Sequence, residues 1–203
     1  MLKMLVLTIN MLNWQDYNFH PVVHLPREYV VLGLSKGLWK QSETEFSIGR
    51  YNEIRSNMYN ADIFAGIRNI HMGIDIGGPK GTPCMSFSDG VITHLGYNPE
   101  PGDYGNVIII KQVISGFDVW ALYGHLSSLS IKHKFINQKI TAGEVVGWFG
   151  NYDENGGWEP HLHFQLSLIE PKTHDLPGVV SLGERERALL DYPDPRLVLG
   201  PLY

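Results

Sequence analysis

The sequence predicts a mainly β protein, an antiparallel β sandwich or barrel-sandwich with an N-terminal extension and a short C-terminal helix. Two observations carry that prediction. Apolar runs of strand length recur between Gly66 and Pro171, and turn clusters rich in glycine and proline separate them. The composition supplies the core: of 203 residues 43% are hydrophobic and 18% charged, too apolar for a disordered chain. The expected organisation is an extension over residues 1–65 packed on the core, a β domain over 66–172 and a tail over 173–203.

Taken in order, Met1 to Leu12 begins with Lys3 and the apolar run Met4 to Ile9, then is cut by Asn10 and Asn13 with no small-residue cleavage site after it. It reads as a strand or packed arm, not a secretory signal, so the chain is expected to be cytoplasmic as synthesised or exported by another route. Tyr29 to Leu34 is a short apolar segment, and the polar stretch Gln41 to Asn60 is expected to hold a short helix. Ile108-Ile109-Ile110, Val119 to Tyr123, Val145 to Phe149 and His161 to Ile169 read as strands, separated by turn clusters of the kind seen in Asn98 to Asp103. Glu184 to Leu190 reads as one helix, stopped by the proline-rich Asp191 to Pro195. No apolar run is long enough to cross a membrane as a helix.

Charge and cysteine content narrow the function. The net charge of −5 lacks the basic footprint of a nucleic-acid binder. One cysteine, Cys84, allows neither an internal disulfide nor a cysteine-rich metal site and reads as a small buried residue. Nine histidines stand out, since imidazole is the common metal ligand and proton carrier near neutral pH.

Three segments concentrate that chemistry. In Ile70 to Gly78, His71 and Asp75 lie four positions apart; on a straight strand they would be about 13 Å apart, but a chain bent at Gly73 lets them converge. In Pro160-His161-Leu162-His163-Phe164 the two histidines share one strand face, about 7 Å apart, with Leu162 and Phe164 on the other. In Tyr123-Gly124-His125-Leu126 a histidine ends an apolar strand. Each alone is compatible with a surface or core histidine. Together they set ligand-capable groups inside apolar strands, where burial without partners is costly, and two His with one Asp form a donor set suited to catalytic zinc.

The ordered set His71-x-x-x-Asp75, His125 and His161-x-His163, with Gly81-Thr82-Pro83, Asp89-Gly90, Gly105-Asn106 and Gly143-x-x-x-Gly147-x-x-Gly150 between them, resembles the M23 zinc metallopeptidases of the lysostaphin and LytM type. The resemblance covers about half the chain. It implies the duplicated hybrid motif of that family, a Zn2+ held by His71, Asp75 and His163, and two unligated catalytic histidines, His125 and His161, with the choice of general base left open. It also implies hydrolysis of peptide bonds in peptidoglycan stems or crossbridges, or in glycine-rich peptides. The loop Asn151 to Glu159 is expected at the groove. Some members carry an oxyanion-donating tyrosine ahead of the first metal histidine; that position falls near Ala65, and Tyr59 is the residue considered in its place. Asparagines of the extension are candidates to plug the zinc site.

Other readings are weighed against this one. An iron oxygenase places its acid two positions after the first histidine, and a cupin needs a glutamate where Ser167 and Leu168 stand. A folded M23-like module that has lost turnover and serves binding or regulation is the main alternative. The acidic charge departs from secreted wall hydrolases, and the tail, with Pro177-Gly178-Val179 and Asp194 to Gly200, resembles M23 segments fused to kinase-like and aminotransferase modules. His20 and His24 lack a carboxylate partner; His94, His133 and His174 read as structural or surface residues.

Overall fold

The computed structural model describes residues 12–36 and 44–203. The strand or arm expected over Met1 to Leu12 thus lies almost wholly outside the described residues. The strands are β1 (Val30–Val31), β2 (Ser47–Gly49), β3 (Glu53–Ile54), β4 (Ile70–His71), β5 (Ile74–Gly77), β6 (Pro83–Met85), β7 (Gly90–Asn98), β8 (Gly105–Ile114) and β9 (Phe117–Leu126). After the one-turn helix α1 (Ser128–Lys132) come β10 (Lys139–Ile140), β11 (Val145–Trp148), β12 (His161–Ser167) and β13 (Val179–Val180), then helices α2 (Arg185–Asp191) and α3 (Arg196–Leu199). The fold is mainly β, and the four apolar runs and the late helix form where the sequence puts them.

One sheet dominates, in the order β1-β2-β5-β12-β9-β8-β7-β10, and two small sheets, β11-β6 and β13-β4-β3, flank it. It is antiparallel except for the β1–β2 pair. The long strands β8 and β9 are buried on both faces. Ile108, Ile110, Ala121 and Tyr123 enter the main core with Phe87, Phe164 and Phe149, while Val107, Ile109, Trp120 and Leu122 face a second cluster with Tyr104 and Leu176. That period-two division is the signature of a strand covered on each side.

The helix expected within Gln41 to Asn60 does not form among the described residues of that stretch. Ser47–Gly49 instead pairs antiparallel with β5, setting Ile48 against Ile76 and Gly49 against Asp75. Asn52 then takes a left-handed conformation (φ 54°) that turns the chain into β3. Ile48 is fully buried in the main core, so tertiary pairing overrides the polar composition that suggested a helix. No helix of the described residues is long and apolar enough to cross a membrane.

Candidate metal centre

Glycine starts the construction of the site. β4 and β5 are separated by Met72 and Gly73, and the bend brings His71 Nε2 to 3.1 Å from Asp75 Oδ1. A Cβ at residue 73 would sit 2.5 Å from the His163 ring, so only glycine lets the bend pass beneath that imidazole. On the adjacent strand β12 alternation sends Leu162, Phe164 and Leu166 into the core. The opposite face carries His161, His163 and Gln165. The pairing of His163 with Asp75 on one side and Gly124 on the other sets the third ligand-capable group beside the first two.

His71, Asp75 and His163 each offer an atom within 4.8 Å of the other two. His71 Nε2 lies 3.0 Å from His163 Nδ1, which lies 3.1 Å from Asp75 Oδ1. The rear nitrogens fix which lone pairs face inward. His71 Nδ1 donates to the Arg50 carbonyl at 2.9 Å, and a carbonyl can only accept. His163 Nε2 donates to Gln165 Oε1 at 3.0 Å; the Gln165 amide is oriented in turn because its Nε2 donates to the Pro177 carbonyl at 3.4 Å. Burial and the Arg55 charge push His71 down to about 4 from its ordinary 6.5. Burial opposes ionisation of Asp75, yet the His71 imidazole and the Arg55 guanidinium hold its carboxyl well below the usual carboxylate range.

The His71 Nε2 and His163 Nδ1 lone pairs, opposite the hydrogens those rings donate outward, and one Asp75 carboxylate oxygen therefore converge, an arrangement that repels itself unless a cation sits at its centre. The separations are close to the roughly 3.3 Å edges of a tetrahedron of N and O ligands with bonds of about 2.0 Å. The donor set fits a divalent metal, and the hydrogen bonds behind it are those that orient ligating imidazoles.

Two more histidines share the cleft. The His125 and His161 rings lie 4.3 Å apart between centroids. His161 Nδ1 donates to the Glu159 carbonyl and His125 Nδ1 to the Asn155 carbonyl, each at 2.7 Å, leaving both Nε2 atoms as acceptors; His161 Nε2 lies 3.8 Å from Asp75 Oδ1. Burial depresses both imidazoles below 6.5, with His161 and His163 adding to the effect on His125.

His125 reaches this side by a backbone device. Alternation along β9 would place it in the main core with Ala121 and Tyr123, but it takes a left-handed conformation, φ 62°, beside a register shift against β8. The side chain is thereby turned to the site and Leu126 to the core. Such a conformation costs about 1 kcal/mol for a non-glycine residue. Its backbone is held there by hydrogen bonds from His125 N to the Tyr104 carbonyl and from Gly150 N to the His125 carbonyl, each 2.9 Å.

These groups line a cleft of about 940 Å³ with Tyr59, Tyr152 and Trp158 on its walls. The loop Asn151 to Glu159 lies at the groove, as expected. Trp158 Nε1 is tied to the Gly102 carbonyl at 3.2 Å, and buried Asn155 holds His125. Tyr59 lines the cleft, its hydroxyl accepting from Arg55 Nη1 at 3.0 Å. No asparagine among the described residues lines the cleft. Asn52 instead accepts a hydrogen bond from Arg185, so the extension contributes Arg55 and Tyr59 to the site. Cys84 is buried, and its thiol is pushed up by burial. His20 and His24 pack edge to face at 5.7 Å and belong to no metal-capable group among the described residues.

Sequence reasoning missed Gln165, Asn155 and Arg55. Gln165 was within reach, because it follows His163 by two positions and must share its face. Asn155 contributes a main-chain carbonyl, which residue identity does not advertise. Arg55 lies twenty residues before Asp75 in a stretch read as helix.

A bent strand pair and a histidine strand converging two imidazoles and a carboxylate, with two neutral histidines beside them, define a protein of the metallohydrolase type. The chain belongs to peptidase family M23: the family model matches residues 69–174. It is 38% identical over 112 residues to the DD-carboxypeptidase/endopeptidase Mpg of Neisseria meningitidis, covering 53% of this chain and 23% of that protein. It is 34% identical over 95 residues to the glycyl-glycine endopeptidase ALE-1 of Staphylococcus capitis, covering 47% and 24%. The matches thus span about a quarter of the length of these relatives. Among solved structures, the catalytic domain of lysostaphin from Staphylococcus simulans aligns over 70% of this chain and 92% of its own, with a TM-score of 0.47 and 22% identity.

Proposed function

We propose that this protein is a zinc-dependent endopeptidase that hydrolyses peptide bonds in peptidoglycan stems or crossbridges, with His71, Asp75 and His163 as metal ligands and His125 and His161 as the catalytic pair. The observation that carries the reading is the convergence of three metal-capable donor atoms beside two neutral imidazoles whose Nε2 atoms are free. The names of the relatives, an endopeptidase and a glycyl-glycine endopeptidase, support the substrate class.

Zinc, when bound, supplies the Lewis acidity that brings a water towards neutral pKa and polarises the scissile carbonyl. The chain supplies the rest. His161 Nε2, nearest to Asp75, takes the proton of the attacking water as its Nδ1–H stays on the Glu159 carbonyl. His125, held by Asn155, presents Nε2 to the opposite side of the same space, where as a neutral acceptor it orients the attacking water, and the proton taken by His161 passes on to the leaving amine. Arg50, through its carbonyl, and Gln165 keep the ligand lone pairs facing inward. The walls formed by Tyr59 and Trp158 confine an extended peptide and exclude bulk water.

The test is digestion of purified peptidoglycan and of glycine-rich peptides, read by mass spectrometry for new amino termini. The expected result is cleavage that a chelator abolishes and zinc restores, and that His161→Ala loses while still binding zinc. Stoichiometric zinc without cleavage of either substrate would leave a binding or regulatory module as the better description.

A further inference from the structure

Behind Asp75 lies a buried ion cluster that the reaction as described does not use. Arg55 is only 2% exposed, and its guanidinium directs hydrogen bonds outward in four directions. Nε donates to Glu53 Oε2 at 3.0 Å, Nη1 to Asp75 Oδ2 at 2.7 Å and to the Tyr59 hydroxyl at 3.0 Å, and Nη2 to the Arg50 carbonyl at 3.3 Å. Two of these acceptors belong to the centre. Asp75 Oδ1 faces the histidines, so the bond to Oδ2 uses the carboxylate's other oxygen. The Arg50 carbonyl is the group that accepts His71 Nδ1–H. One side chain therefore braces both the carboxylate and the carbonyl that sets the inward lone pair of His71.

The backbone makes room for this contact. Gly49 pairs with Asp75, and a Cβ there would lie 2.8 Å from Arg55 Nη2 and 3.1 Å from Asp75 Oδ2. Charge argues for the same purpose. A lone arginine beside a dication site would repel the metal, but Glu53, itself buried and accepting from Ser35 N at 3.1 Å, neutralises the guanidinium. Asp75 keeps its negative charge for the cation. With its donors engaged inward and its surface covered, Arg55 is unsuited to binding a substrate carboxylate.

We infer that Arg55, held by Glu53, is a positioning residue of the metal centre, restricting Asp75 to one-oxygen ligation and fixing the carbonyl that orients His71. The inference rests on the reading of this cluster as a metal site. It also gives the segment before the family match a role in the site, since Glu53 and Arg55 lie outside residues 69–174.

The experiment measures metal binding directly in the full chain. Zinc affinity is determined by competition with a chromophoric chelator, and the cobalt-substituted protein gives a visible spectrum that reports coordination number. Arg55→Lys keeps the charge but loses the planar fork, and Glu53→Gln keeps the shape but removes the counter-charge. Circular dichroism of the metal-free proteins checks folding, and where Arg55→Lys does not fold, Glu53→Gln decides. Each folded variant is expected to bind zinc about 10- to 100-fold more weakly. Arg55→Lys is further expected to weaken the cobalt absorption, because a freed Asp75 can offer both oxygens and raise the coordination number. Folded variants with unaltered affinity and cobalt spectrum overturn the inference while leaving the metal site standing. An unsubstituted protein that binds neither zinc nor cobalt overturns both.

Discussion

Compare the two faces of β12. Leu162, Phe164 and Leu166 on one face are fully buried in the main core, yet Gln165 on the other is equally buried and His163 nearly so. The apolar face is satisfied by contact alone. The polar face tolerates burial because each nitrogen and oxygen has a designated partner: Gln165 for His163, Pro177 for Gln165, Arg50 for His71. Burial therefore does not separate structure from function on this strand; the hydrogen-bond assignment does, and it leaves the inward lone pairs of His71 and His163 converging with Asp75.

The largest effects should fall on opposite properties for neighbouring residues. His163→Ala is expected to abolish metal binding and turnover while the metal-free protein remains folded, as read by zinc content and circular dichroism. Phe164→Ala, one residue on, is expected to cost about 3–5 kcal/mol of stability in denaturant titration, while the surviving folded fraction still binds metal. Loss of metal binding in folded Phe164→Ala protein would erase the contrast.

Gly73→Ala tests whether the bend exists to admit the His163 ring. The added methyl must displace that imidazole, and a displacement near 1 Å is expected to lower turnover about a hundredfold with zinc affinity falling in parallel. Wild-type turnover would mean the strand pair yields instead of the ring. A smaller effect is expected from Gln165→Leu, which leaves His163 Nε2–H only the Tyr104 hydroxyl, 3.5 Å away, as an acceptor and loosens the ring. Zinc affinity should drop about 10- to 100-fold, whereas Leu166→Ala next to it should leave affinity unchanged.

These contrasts also explain what the sequence disclosed. The β12 faces and the bend between His71 and Asp75 follow from local rules, alternation in one case and a glycine in the other, and both were legible. The direction of His125 was not derivable from alternation, which assigns it to the core; a single left-handed residue inverts the phase, and nothing in Tyr123-Gly124-His125 announces which residue will adopt it. Arg55 was illegible as a site partner for a different reason. Its approach depends on β2 pairing with β5 and β3 with β4, contacts between segments separated in the chain, within a stretch whose polar composition suggested a helix.

The smallest expected effect concerns pH, and it separates the two faces by sign. Folded His71 takes up a proton only near 4, whereas in the unfolded chain it does so near 6.5. Between those values the unfolded state of the metal-free protein binds more protons, so the stability His71 contributes is complete above 6.5 and is lost as pH falls towards 4. The depressed pKa values of His125 and His161 act in the same direction. Asp75, also depressed, extends the loss below the ordinary carboxylate value. The core face behaves oppositely. Burial raises the Cys84 thiol above its ordinary 9.0, so the folded state retains a proton that the unfolded state releases, and stability is lost as pH rises past 9. Urea midpoints of metal-free protein should therefore decline on both sides of a plateau. Cys84→Ala should soften only the alkaline decline, and saturating zinc, bound to the folded state through a His71 lone pair that protonates only near 4, should raise the midpoints across the plateau and lose that increment at the acid end, where protons displace it. A zinc effect undiminished below pH 4 would show that the metal stabilises the fold without engaging the imidazoles.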